Sequence, residues 1–293
     1  MIRERLNHSL LGSPSDIEPE DVTHDAGVQY NIGKSQKCPV HVPTFLQKNE
    51  GDPAIKVSSL CIILICILTP LMQNFLPKLR EHLLPRVHKA LLQEAESLSE
   101  LAGIRTGSDT GPFHNPERNA CDFVFLKNDR IYHHRLIRFH FTTYDIQRGT
   151  DIVNPGTTRC NIMLLADDAE GSVISSNPHH FLYARVLGAY HVNVIYTGPG
   201  MRDFEARRFE FLWVQWFEVV NPGSSGRTTS KLDSVRFPPM NENHSFGFVD
   251  PKDVLRGCHI LPAFAQGKRQ KNGFGISRCA KDGKDYNRYF VGR

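Results

Sequence analysis

The chain has 293 residues, enough for one large domain or two small ones. It is 40% hydrophobic and 23% charged, ordinary for a globular protein, and its net charge of +4 is too mild to require a nucleic-acid partner. Seven scattered cysteines, an odd count without repeated paired spacing, argue against a disulfide framework and for reduced thiols inside a cell.

Residues 1–50 are polar and irregular, and neither a helical nor a strand period persists in them. They read as disordered. Cys38-Pro-Val-His41 has the spacing of half a zinc site, but no second pair follows at a finger-like distance, so no metal is expected.

Val57 to Met72 is the one apolar run without a charge. Extended through Leu76 it approaches the roughly 20 residues of a membrane span. That length includes Gln73, Asn74 and the break at Pro70, and basic residues flank both sides. A buried helix is a further reading. A third accounts for the neighbours as well: deleting 57–73 joins Lys56 to Asn74, and the helical period runs from Ile55 to Phe75 and on through Leu79, Leu83, Val87 and Leu91. Asp52 would cap that helix and Pro53 would open it. The deleted piece has a short-intron length, and its end residues, Val and Gln, fit the two ends of an intron. Residues 57–73 therefore read as translated intron, 74–102 as an amphipathic helix ended by Gly103, and 103–122 as a linker.

From 123 onward the pattern is that of strands. Ile137, Phe139 and Phe141 alternate with polar residues, and Cys160–Leu165 is a short apolar strand. The even positions from Leu182 to Tyr196 form a nearly unbroken apolar face, bent or bulged at Gly188. Thr197–Gly200 is a turn, and 209–220, 235–237, 246–249 and 258–264 are further strands, with a helical turn near Pro251. The expected fold is α+β: a disordered head, one helical segment, and a small, mostly antiparallel barrel-like domain over 123–293.

Catalytic signatures are missing. Asp167, Asp168 and Glu170 crowd one polar turn rather than converging from separate elements on a metal ion. No G-x-S-x-G, phosphate-loop or H-E-x-x-H pattern occurs. The pairs His133–His134 and His179–His180 are read as surface or capping residues, since strand neighbours point to opposite faces. The chain is thus expected to be no enzyme and to need no cofactor.

Two binding surfaces are candidates. Trp213 and Trp216, three apart on a strand, face opposite sides; one of them could form a groove with Tyr183 and Phe217 that cages a methylated lysine. The second is the C-terminus: 266–293 carries eight basic residues against Asp282 and Asp285. There Lys268, Arg269, Lys271, Lys281, Lys284 and Arg288 could meet a nucleic acid, or the strip could be a solvated tail.

Long blocks of the sequence are also distinctive. They include KNDRIYHHRLIRFHFTTYDIQRGTDIVNPGTTRCNIMLLADD, HHFLYARVLGAYHVNVIYTGPG, RRFEFLWVQWFEVV and FGFVDPKDVLRGCHILPAFAQGK. These resemble the C-terminal region of fungal Plavaka-type transposon proteins over roughly residues 74–293. The transposase core that precedes this region in that family is missing here, so the resemblance carries no transposition activity. The strands at 183–186, 211–217 and 249–257 are more distantly similar to bromo-adjacent-homology barrels, which bind nucleosomes or other proteins. The resemblance implies a transposon-derived module inside the cell, with the nucleus as one location, that contacts chromatin or another protein. Its alternatives are a nucleic-acid-binding fragment and a membrane protein anchored by 57–76.

Overall fold

The structure is a computed structural model that describes residues 30–32, 37–55, 75–102, 119–142, 147–166, 181–201, 203–220 and 232–292. Residues 1–29, 57–73, the carboxylates near 168 and the pair His179–His180 lie outside these. The fold is α+β, and every strand pair is antiparallel.

One strand organises the rest. β7 (Phe181–Tyr196) is sixteen residues of mostly β-branched, aromatic and small side chains. Along one edge it pairs with β8 (Arg207–Trp216). Along the other it takes two partners end to end: β6 (Asn161–Leu165), then β3 (Val124–His134). β2 (Lys37–His41), β11 (Phe246–Val249) and β12 (Val254–Gly257) extend this sheet from β3, β8 and β6. A second sheet holds β1 (Tyr30–Asn31), β4 (Ile137–Thr142) and β5 (Arg148–Val153). A third has the order β13 (His259–Pro262), β14 (Tyr289–Gly292), β10 (Ser234–Arg236), β9 (Glu218–Val219). The expected barrel is corrected: these are open sheets stacked about a shared strand pair. The strand expected over 209–220 breaks at Phe217, because β8 and β9 belong to different sheets.

The apolar face expected on β7 is also corrected. The register shifts between Val186 and Gly188, which makes Leu187 the extra residue of a bulge. A one-residue insertion exchanges the two faces of a strand. Before the bulge, Ala184 and Val186 enter the core shared with Ile137, Phe139 and Val153 of the second sheet. After it, Tyr190, Val192 and Val194 point the other way, into the core covered by helices. The glycine expected to mark the bend does lie beside it: the Tyr190 ring occupies the space a Cβ on Gly188 would need.

Two helices cover that face. α1 (Val42–Lys48) buries Val42 and Leu46. Its presence, with β2 before it, corrects the disordered reading of 37–50; five ladder positions and two buried side chains offset the cost of ordering this short segment. α2 (Phe75–Ala102) buries Phe75, Leu79, Leu83, Val87 and Leu91, one residue every fourth position, as the sequence predicts. Each such side chain contributes about 1.5–3 kcal/mol by leaving water. Pro85 is exposed, away from this stripe. Among the described residues no helix is long and apolar enough to cross a membrane.

Asp52 does not cap α2. It lies in a separate turn, where its carboxylate accepts from Ala54 N at 2.9 Å. The next residue but two, Ile55, lines one small cavity together with Phe75, Trp213 and Phe248. The chain therefore enters and leaves 56–74 at the same place in the core. A chain lacking 57–73 should fold with an unchanged denaturation midpoint and the same amide fingerprint at 75–102. A large loss of stability on that deletion would assign the segment a structural role.

α2 is held to the sheet by polar contacts at its middle. Arg86 Nε pairs with Asp250 at 2.8 Å, Arg86 Nη1 donates to Glu210 O at 2.8 Å and approaches His82 Nε2 at 3.2 Å, and the guanidinium lies 5.6 Å from the Phe209 ring centre. Because arginine only donates, His82 Nε2 accepts and the ring is neutral. Burial first, and Arg86 second, push the imidazole down to about 4, with Asp250 opposing. An unfolded imidazole titrates near 6.5, so the fold favours the neutral ring. Its contribution is full above that value and is lost as pH falls toward 4, on the order of 3 kcal/mol if the whole shift is realised. Denaturant midpoints at about pH 7.5 and about pH 4.5 should therefore differ less in His82→Gln than in the parent chain.

Candidate nucleic-acid interface

Neither sequence-derived surface emerges as expected. The four aromatic residues proposed as a groove do not meet at a surface. Tyr183 and Phe217 are buried in the core of the third sheet, with Met163, Phe237 and Tyr289. Trp213 is buried on the helix-covered face, edge-on to Phe75 and Phe45. Trp216 packs on the opposite face. The two tryptophans do face opposite sides, but packing uses both, and a methyl-lysine cage has no opening there. The histidine reading is likewise corrected for His134, which is buried with Nε2 at 2.6 Å from His191 Nδ1.

The basic C-terminus is folded rather than a tail. β14 is hydrogen-bonded on both edges, to β10 and β13. Upstream of it the strip is pinned at three carboxylates. Asp52 accepts from Ser277 Oγ at 2.6 Å, Arg278 N at 2.9 Å and Cys279 N at 3.0 Å. Asp282, with no exposed surface, accepts from Ile276 N at 3.0 Å and Ser277 N at 2.8 Å. Asp285, 3% exposed, meets the Arg185 guanidinium in a two-pronged pair of 2.7 and 3.1 Å. Tyr289 donates to the same carboxylate at 3.1 Å, and the guanidinium also lies 4.3 Å from the Phe237 ring centre.

Arg185 stands on a polar seam. It is directly opposite Asn161 on β6 and Gln215 on β8, so the three side chains form a row across one face of the sheet. Asn161 and Gln215 are buried. On that face the row separates the core under α2 from the core under the third sheet.

The consequence for the strip concerns charge. Both of its acidic residues face inward, while Lys268, Lys271, Arg278, Lys281 and Lys284 are exposed. Arg288 is half-buried, and Arg269 turns inward to the carbonyls of Phe237 and Pro238. Of the six basic residues proposed from sequence, four thus reach solvent fully, and Arg269 serves the fold. Cys279, between Arg278 and Lys281, is pushed up to about 12 by burial and by Asp52, so it remains a thiol.

Sequence reasoning missed the aromatic members of this surface. Phe274 is 78% exposed and Phe264 72%. Phe264 lies edge-on to Tyr286 at 5.3 Å, and Tyr286 is bridged to Lys268. The segments around 273–275 and 282–284 lie against each other: a Cβ on Gly283 would come within 2.7 Å of Gly273 O. The backbone on either side of Phe274 therefore lies against the backbone next to Lys284. Among the described residues, no group of three His, Cys, Asp or Glu side chains could hold a metal ion. No protein-family model matches the chain, and neither a curated protein nor a solved structure does.

Breaking the Arg185–Asp285 pair from one side would leave a charge buried alone, at a cost of about 3–5 kcal/mol. Asp285→Asn should lower stability by roughly that amount and speed tryptic cleavage after Lys268 and Lys271. The double variant Arg185→Met/Asp285→Leu should recover most of the loss, as read by denaturant titration.

Proposed function

We propose that this protein is a non-enzymatic, transposon-derived binding module whose C-terminal surface holds single-stranded nucleic acid. The observation that carries the reading is the sorting of charge in 266–292: both carboxylates are buried, while five cations and the Phe274 ring are exposed. Lysines at such a surface neutralise phosphates, and exposed rings stack on bases without regard to sequence. A single strand suits the surface better than a duplex, because only unpaired bases offer their faces to Phe264 and Phe274. An intracellular, nuclear location follows from this reading.

A protein or chromatin partner is the second reading. It has lost the aromatic groove but is favoured by one feature. Leu261 and Phe290 are directly opposite on β13 and β14, and both are exposed on the outer face of the third sheet.

Fluorescence anisotropy with a labelled oligodeoxythymidine tests the first reading. With three to five phosphate contacts, log affinity should fall against log salt with a slope of about −2 to −4. Phe274→Ala should cost about 1–3 kcal/mol, and Lys268→Ala/Lys271→Ala/Lys284→Ala should flatten the salt dependence. Failure to bind any single strand at low salt would discard the reading and leave the protein-partner surface.

A further inference from the structure

A second cationic feature lies away from the strip's lysines. Where β5 meets the end of β12, a cavity of about 290 Å³ is lined by Asp151, Arg159, Asn161, Arg256, Gly257 and His259, among others. Two arginines face one carboxylate there, so the lining is net cationic. The carboxylate is already engaged: Asp151 Oδ2 accepts from Gly257 N at 3.0 Å and lies 3.3 Å from Arg256 Nε. Half-buried Cys258, in the same wall, is pushed up to about 12 by desolvation and adds no negative charge at neutral pH.

Arg256 is oriented by two contacts within the chain. Its Nε lies 3.3 Å from Asp151 Oδ2, and its guanidinium carbon lies over the Phe141 ring, 4.4 Å from the ring centre. These two contacts orient the exposed guanidinium and leave both terminal amino groups unpaired among the described residues. Arg159 presents a second guanidinium without a side-chain partner there. It stands on the 154–159 turn, whose closure uses only its backbone: Asn154 N donates to Arg159 O at 2.7 Å. Orienting a long side chain in advance removes part of the entropy cost of binding.

We propose that this cavity binds a small phosphate-bearing anion. One guanidinium fork satisfies a planar carboxylate; two forks suit the several acceptor oxygens of a tetrahedral phosphate. The volume is at the lower limit of small-molecule pockets and fits a free phosphate or a compact phosphate monoester. The backbone N–H of Gly257 belongs to Asp151, so recognition falls to Arg159 and Arg256. This site is independent of the proposed strand-binding surface.

The test is an amide-resolved NMR titration of the full chain with sodium phosphate, matched in ionic strength against sodium chloride, with methyl phosphate and acetate in parallel. Saturable shifts at Asn161, Gly257 and Cys258 are expected with phosphate or methyl phosphate, and acetate should bind more weakly. A stronger response to the ester would assign a phosphate monoester as ligand; a stronger response to the inorganic ion would assign free phosphate. Arg159→Ala should weaken binding about tenfold or more, and Arg159→Lys by less. The variant Lys268→Ala/Lys271→Ala/Lys284→Ala should leave these shifts intact, which separates the pocket from the strip. Phosphate acting no differently from chloride, acetate binding as tightly as phosphate, or full affinity in Arg159→Ala would overturn the proposal.

Discussion

The fold depends on a single strand serving three cores, and this is possible because one residue of that strand is extra. Without the bulge at Leu187, alternation would aim Ala184, Val186, Tyr190 and Val192 at one face. With it, the first two pack beneath the small second sheet and the last two beneath α2. β8 makes the same division by ordinary alternation, Phe211 and Trp213 to one side, Leu212 and Val214 to the other. The third core follows from where β7 and β8 outrun the helix. Tyr183 and Phe217 lie beyond its reach and are covered instead by the sheet that contains β14.

That arrangement creates an electrostatic problem at the seam, and the C-terminal strip is its solution. Arg185 sits between two apolar cores and would be costly without a partner. Asp285 supplies the charge, Tyr289 orients the carboxylate, and Phe237 covers the guanidinium. The same contact withdraws one of the strip's two acidic residues from the surface. Asp282, committed to backbone N–H groups, withdraws the other. The exposed cationic character of 266–292 is therefore a by-product of how the segment is fastened. A mild net charge of +4 conceals this, because it counts carboxylates that solvent does not meet.

Much of this was legible in the sequence wherever a period could be counted over many residues. The stripe from Phe75 to Leu91 has a four-residue period that no other element type explains, and β7 was legible as a long strand interrupted only at Gly188. β2 and α1 were not legible, since five strand residues containing a proline and seven helical ones carry too little period to count. Their order comes from partners distant in sequence, as when Cys38 lies opposite His133. The aromatic groove failed for a related reason. Tyr183, Trp213, Trp216 and Phe217 were recognised by residue type, but burial is decided by which sheet covers which end of β7 and β8, and that is a tertiary fact. Phe274 gave the opposite error: a ring between glycines in a basic run looks like any loop residue until the turn is seen to hold it outward.

The two cationic sites differ in how they are built, and the difference bears on what each can hold. In the strip, Lys268, Lys271, Lys281 and Lys284 are point charges on flexible stems with no fixed partner geometry, joined by rings with no polar groups. Such a surface tolerates a polymer whose phosphates arrive at variable spacing, and it selects weakly among sequences. In the pocket, Arg256 is oriented by a carboxylate and a ring and faces a half-open cavity. An oriented guanidinium rejects what does not match its fork, so that site can discriminate between anions of similar charge by shape. On the proposed readings, charge density would govern binding at the strip, and geometry would govern binding at the pocket.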